Sequence, residues 1–257
     1  MAEENISSVT EFILTGLTDQ PQLKVPLFFL FLSFYVITVV GNLGLITLIG
    51  LNSHLHIPMY FFLFNLSFID FSFSTAIVPK MLTSFISEKN VISYAGCMTQ
   101  LFFFCFFVFS ESFILSAMSY DRYVAICKPL VYTVTMSPQV CLFLLLGVYG
   151  MGVFGAMAHT GNIVFLTFCG DNLVNHYMCD IIPLLELSCN SSYVNLLVVF
   201  IVDVSNLRIR KLSPREAKLL AQDHNVPRVK TQVQMNFTPN SFFNHASVLT
   251  PAANSRN

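Results

Sequence analysis

Four apolar runs, each long enough to cross a bilayer, constrain this chain more than any other feature. Residues 26–51 hold no Asp, Glu, Lys or Arg. Residues 59–78 carry one acid, Asp70, and residues 98–120 carry one, Glu111. Residues 140–168 hold no Asp, Glu, Lys or Arg and a single histidine, His159. A spanning helix needs about 20 apolar residues. A fifth run, 193–202, stops at Asp203. At 1.5 Å per residue it covers about 15 Å, half of a ~30 Å hydrocarbon core. The pattern predicts an all-α membrane bundle with four full helices and a partial fifth.

Composition supports a lipid setting and divides the chain. Only 11% of residues are charged, against roughly 25% in a soluble domain. Residues 1–204 hold 5 Lys/Arg against 12 Asp/Glu, whereas 205–257 hold 8 against 2. The sequence thus reads as an N-terminal segment (1–25), a bundle (26–202) and a basic tail (203–257). The tail is rich in Asn, Ser and Pro, and the expectation there is disorder, apart from a short helix capped by Ser213. No basic n-region or short apolar h-region precedes the first run, so that run serves as its own insertion signal.

Lysine and arginine are too sparse in the short loops to fix orientation strongly. The sequon Asn5-Ile6-Ser7 favours an N-terminus on the luminal or extracellular side, where a glycan is added. Segments 52–58 and 121–139 then face the cytoplasm. Cys97, Cys169, Cys179 and Cys189 fall on the oxidising side, where disulfides persist. Four cysteines permit three pairings, which spacing alone does not decide between. The side on which the tail lies also stays open, because it depends on whether the short fifth run inserts. Glycosylation at Asn236 would mark a luminal tail.

The third run ends in Asp121-Arg122-Tyr123-Val124-Ala125-Ile126-Cys127-Lys128-Pro129-Leu130. Other strings stand in order around it: Gly41-Asn42, Leu55-His56-Ile57-Pro58-Met59-Tyr60, Asn65-Leu66-Ser67-Phe68-Ile69-Asp70, Pro79-Lys80-Met81-Leu82 and His176-Tyr177-Met178-Cys179-Asp180. Together they resemble the olfactory (odorant) receptor family of rhodopsin-like G-protein-coupled receptors. The resemblance covers residues 1–202 and implies a seven-helix plan. No counterpart of the sixth and seventh spans follows, as in a receptor truncated inside its fifth helix.

The resemblance implies roles for named residues. Asp121, Arg122 and Tyr123 form the G-protein-coupling switch, with Asp121 paired to Arg122. The ordinary alternative for Arg122 is a guanidinium that snorkels to the interface. Phe104, Cys105, Val108 and Phe109 share a helical face and sit where the family contacts its ligand, although such a face also suits plain helix packing. Asp70 and Glu111 form a sodium site; the alternative is two protonated, hydrogen-bonded acids. Cys97 pairs with Cys179 and Cys169 with Cys189.

The implied partners are a small volatile apolar ligand, a heterotrimeric G protein, membrane lipids and other receptor copies, with no nucleic acid. The implied cofactor set is empty apart from the Na⁺ ion. No nucleophile–base pair, phosphate loop or zinc spacing suggests an enzyme. The implied location is the plasma membrane, and the rival reading is a non-signalling fragment that binds other proteins or is retained in the endoplasmic reticulum.

Overall fold

The structure is a computed structural model and describes residues 10–18, 20–87, 90–168 and 172–189. The fifth run and the basic tail lie outside these residues, as do Asn5 and Cys169. The elements in chain order are β1 (Glu11–Leu14), α1 (Pro21–Leu51), α2 (Pro58–Ile86), β2 (Val91–Ser93) and α3 (Tyr94–Cys127). After them come α4 (Tyr132–Thr135), α5 (Pro138–Val164), β3 (Leu173–Val174) and α6 (Ile181–Glu186). Among the described residues, α1, α2, α3 and α5 are long and apolar enough to span a membrane.

Three of the spans overrun the apolar windows read from the sequence, and the reasons are local. Proline at the first helical turn starts α1, α2 and α5, where its missing N–H costs nothing. Helix α2 passes through Pro79 and ends at Ile86, eight residues beyond the expected stop at 78. A spanning helix tolerates an internal proline when neighbouring helices support it. Helix α3 starts earlier than expected because Ser93 caps it, accepting from the Gly96 N–H at 3.2 Å. It then runs on through Asp121–Cys127, a stretch that opens on two charges and holds no helix breaker, until Pro129. Helix α5 ends at Val164, short of the expected 168. Phe168 instead pairs with Ser188 in an isolated bridge.

The N-terminal segment is more than a polar lead-in. Strand β1 is the centre of a three-stranded sheet, antiparallel to β2 and parallel to β3. Its alternation puts Phe12 and Leu14 inward and Glu11 and Ile13 outward. Phe12 is fully buried, edge-on to Phe168 at 5.4 Å and beside Tyr94 at 6.1 Å. Gly16 turns the chain after β1 at φ +82°, a conformation that disfavours any side chain with a Cβ.

Burial is uneven across the bundle. The most apolar window of α2 is 56% buried, whereas that of α1 is 6% buried. Helix α2 buries Phe62, Ile69, Phe73, Ile77 and Met81, the i, i+3, i+4 recurrence of one helical face. A first apolar cluster joins this face to Ile114 and Val124 of α3 and Val148 of α5. A second joins Phe12, Leu101, Phe109, Ile163 and Leu184 beneath the sheet. The first cluster runs the length of the bundle, from Tyr177 and Met178 at one end to Val124 and Met136 at the other.

Candidate functional site

Helix α3 carries the candidate residues at both ends and in the middle. Cys97 lies in its first turn and Asp121 near its last. Twenty-four residues separate them, about 36 Å of helix, slightly more than a ~30 Å hydrocarbon core. The two ends therefore face opposite sides of the membrane.

At the Cys97 end, its sulfur bonds Cys179 with a Cα–Cα distance of 5.5 Å. This is the expected pairing. It ties the segment 172–189 to the top of α3, and the Cys179 N–H adds a hydrogen bond to Gln100 Oε1 at 3.2 Å. Cys189 is also disulfide-bonded, while Cys169 lies outside the described residues. Tyr177 is buried nearby, and its phenol is pushed up to about 12, by burial first and then by the charge of Asp180.

At the opposite end, the 100° step between helical residues turns Asp121 inward, Arg122 outward and Tyr123 partly inward. Asp121 Oδ1 accepts a hydrogen bond from the Tyr132 hydroxyl at 2.9 Å. The resemblance implied a pairing of Asp121 with Arg122. The buried carboxylate accepts from Tyr132, and the Arg122 guanidinium, on the exposed face, also acts on it through its charge. Burial, followed by the hydrogen bond to Asp121, pushes the Tyr132 hydroxyl up to about 12. Tyr132 was missed in the sequence because α4 is a four-residue helix in a polar connection, with no periodicity to mark it.

In the middle, Asp70 is 6% exposed on the inner face of α2, with Ser67 and Ser74 buried along the same face. Glu111 is half-buried on α3. The rings of Phe73 and Phe104 meet at 5.8 Å and set a common level for these antiparallel helices. From that level Asp70 lies three residues and Glu111 seven residues toward the Asp121 end, a height difference of about 6 Å. Two carboxylates and neighbouring hydroxyls are the hard oxygen donors that a small cation takes. Among the described residues there is no cluster of three or more His, Cys, Asp or Glu side chains.

The four candidate ligand-face residues are divided between two interfaces. Phe104 meets Phe73 of α2. Phe109 stacks on His159 of α5 at 5.3 Å and rests on Gly155, where a Cβ would overlap its ring. Cys105 is buried with Phe109 in the cluster beneath the sheet, and Val108 packs on the other cluster. Gly152 lets Ser110 Oγ approach in the same way. A polar tie between spans also escaped sequence reading. The Tyr149 hydroxyl donates to Asn65 Oδ1 at 3.2 Å, and Asn65 Nδ2 donates to the Phe61 carbonyl at 2.8 Å.

Comparison with known proteins adds the following. A family model described as "olfactory receptor" matches residues 31–214. The chain is similar to human olfactory receptor 8B12, 81% identical over 202 residues that make up 79% of this chain and 65% of that one. It is similar to mouse olfactory receptor 8B8, 79% identical over 202 residues with the same coverage. It therefore spans about 65% of the length of these curated relatives. A crystal structure of squid rhodopsin superposes with a TM-score of 0.63 at 20% identity, over 82% of this chain and 56% of that one. At that identity the likeness speaks for the fold.

Proposed function

Because the chain belongs to the olfactory receptor family, we propose that it detects small apolar odorants and passes the signal to a heterotrimeric G protein at the plasma membrane. The family is one of multi-pass signalling receptors, and the chain is not an enzyme. One observation carries the reading. The family match over residues 31–214 takes in both ends of α3, from Cys97 to Asp121, Arg122 and Tyr123.

The mechanism follows from packing. Val108 leans toward one apolar cluster, Cys105 and Phe109 toward the other, and Phe104 touches both. An apolar ligand that binds one arrangement of α3 more tightly shifts the bundle toward it. The shift is read at the far end of α3, where Tyr132 leaves Asp121 and Arg122 presents its planar, permanently charged guanidinium to the G protein. Na⁺ between Asp70 and Glu111 favours the inactive arrangement. A Cys169–Cys189 bond and a glycan on Asn5 complete the extracellular side.

The test is ligand-stimulated nucleotide exchange on a G protein by the purified chain in nanodiscs. Stimulation that Arg122→Ala abolishes supports the reading, and no stimulation by any apolar ligand defeats it. A second reading has its own support, because α1 is left 6% buried in its most apolar window. In that reading the chain is a non-signalling fragment that associates with complete receptors or stays in the endoplasmic reticulum. Co-purification with a full-length receptor, without exchange activity, would favour it.

A further inference from the structure

A cavity of about 490 Å³ lies where α1 ends and α2 and α5 begin, walled by Ile49, Phe61, Phe64, Met136, Cys141 and Leu145. Its polar side chains are few, chiefly His56 and Asn65. Asn65 is already engaged, accepting from Tyr149 and donating to Phe61. The Cys141 thiol points to the Met136 carbonyl at 3.7 Å. The interior thus offers little to a polar ligand or to water, which needs two or more polar partners. An apolar occupant suits it.

The position of the mouth narrows the choice. Ile57 and Leu142 at the rim are 46% and 52% exposed, and they continue into Phe143 and Leu146, 72% and 59% exposed. This is the apolar belt that the bilayer covers, so the cavity opens onto acyl chains. In the orientation that the family reading gives, His56 stands at the cytoplasmic water edge of the groove. Met136, on the wall, ends α4, and its N–H donates to the Tyr132 carbonyl at 2.8 Å. The groove therefore adjoins the short helix that holds Tyr132 on Asp121.

We infer that this groove binds one acyl chain of a cytoplasmic-leaflet lipid, and that its occupancy braces α4 so that Tyr132 stays on Asp121. The occupant fills space beside Met136 and Cys141, and an empty apolar void there forfeits dispersion contacts. The inference needs the chain in a membrane but does not depend on odorant binding or G-protein coupling.

The experiment uses the whole chain in nanodiscs of phosphatidylcholine that carries a photoactivatable diazirine within one acyl chain, with adducts mapped by mass spectrometry. Adducts are expected to concentrate on 49–64 and 136–145. At Gly50 a Cβ would meet the Phe64 ring at 3.9 Å, an ordinary contact, so Gly50→Leu extends a side chain into the groove. It should lower these adducts about tenfold, the loss of roughly two buried CH₂ contacts. Leu142→Trp, a change on the exposed rim, is the second blocking variant. Gly147→Leu, where nothing lies within 4 Å, should leave the adducts unchanged. Amide exchange over 132–136 should slow when long-chain lipid replaces detergent. Adducts spread evenly over the belt, insensitivity to both blocking variants, or labelling by a sterol probe in place of the acyl probe would overturn the assignment. Unchanged exchange at 132–136 would overturn the bracing.

Discussion

The hydroxyl of Tyr132 donates to Oδ1 of Asp121 at 2.9 Å, across eleven residues of sequence. Asp121 is 2% exposed. A buried carboxylate needs donors, and a hydrogen bond to a charged group contributes about 1.5–3 kcal/mol. Tyr132→Phe should lower stability by an amount of that order and raise hydrogen exchange over 129–136. Thermal unfolding of the two proteins in the same nanodisc decides it, and identical Tm values would contradict a supporting role for the hydroxyl.

The contact of Phe109 with Gly155 leaves no room for a side chain on α5. Gly155→Leu should destabilise the α3–α5 contact by about 1–3 kcal/mol, the usual cost of overpacking. Phe109→Ala should recover part of the loss when combined with it, because the two sites share one contact. Additive effects in a double-mutant cycle would show that the ring and the glycine do not interact.

The Cys97–Cys179 bond joins residues 82 apart. On the chain-entropy account a loop of that size is worth about 4–5 kcal/mol, with less in practice when the unfolded state retains structure. Cys97→Ser should therefore unfold at markedly lower denaturant than the parent, and the Cys179 thiol should become open to alkylation. Equal midpoints would mean that the bond holds nothing that packing does not.

Strand β1 depends on Phe12, which is fully buried between Tyr94 and Phe168. Phe12→Ala should cost about 3–5 kcal/mol locally. Exchange at β2 and β3 should rise together, since β1 lies between them. Faster exchange in β1 alone would show that the outer strands are held from elsewhere.

The phenol of Tyr177 titrates at about 12, raised from 10.0 by burial and by Asp180. A raised value in the fold means that the native state keeps its proton after the unfolded chain has lost it. The stability tied to this group is complete below about pH 10 and drains away as the pH rises toward 12. Tyr177→Phe should flatten the alkaline limb of a stability–pH curve. A limb of unchanged slope would assign the loss to other groups.

Much of the fold was legible because the decisive property is additive along the chain. Runs such as 26–51 and 140–168 sum enough apolar transfer energy to enter lipid regardless of their neighbours. The boundaries were less legible. Pro79 reads as a stop, yet α2 continues past it. The charges at Asp121 and Arg122 read as the end of a span, yet α3 runs on to Cys127. Hydropathy marks the lipid edge of a helix, and helices extend beyond that edge into water.

The site divides in the same way. Residues 121, 122 and 123 were marked by motif and Cys97 by its place before the third span, and the Cys97–Cys179 bond formed as the resemblance implied. Tyr132, Phe12 and the Asn65–Tyr149 pair carried no local signal. Each acquires its role from a partner 11 to 84 residues away, or, for Phe12, from aromatic rings on two other segments.

The amino-acid order alone determined that this chain enters a bilayer as long helices and which family's motifs it bears, because helix length and apolarity are properties of contiguous residues. Only the tertiary structure decided that Asp121 accepts from Tyr132, that the N-terminal strand completes a sheet, and that an apolar groove adjoins the short helix carrying Tyr132. Those outcomes depend on which helical faces meet, and neighbouring residues cannot specify a meeting between segments far apart along the chain.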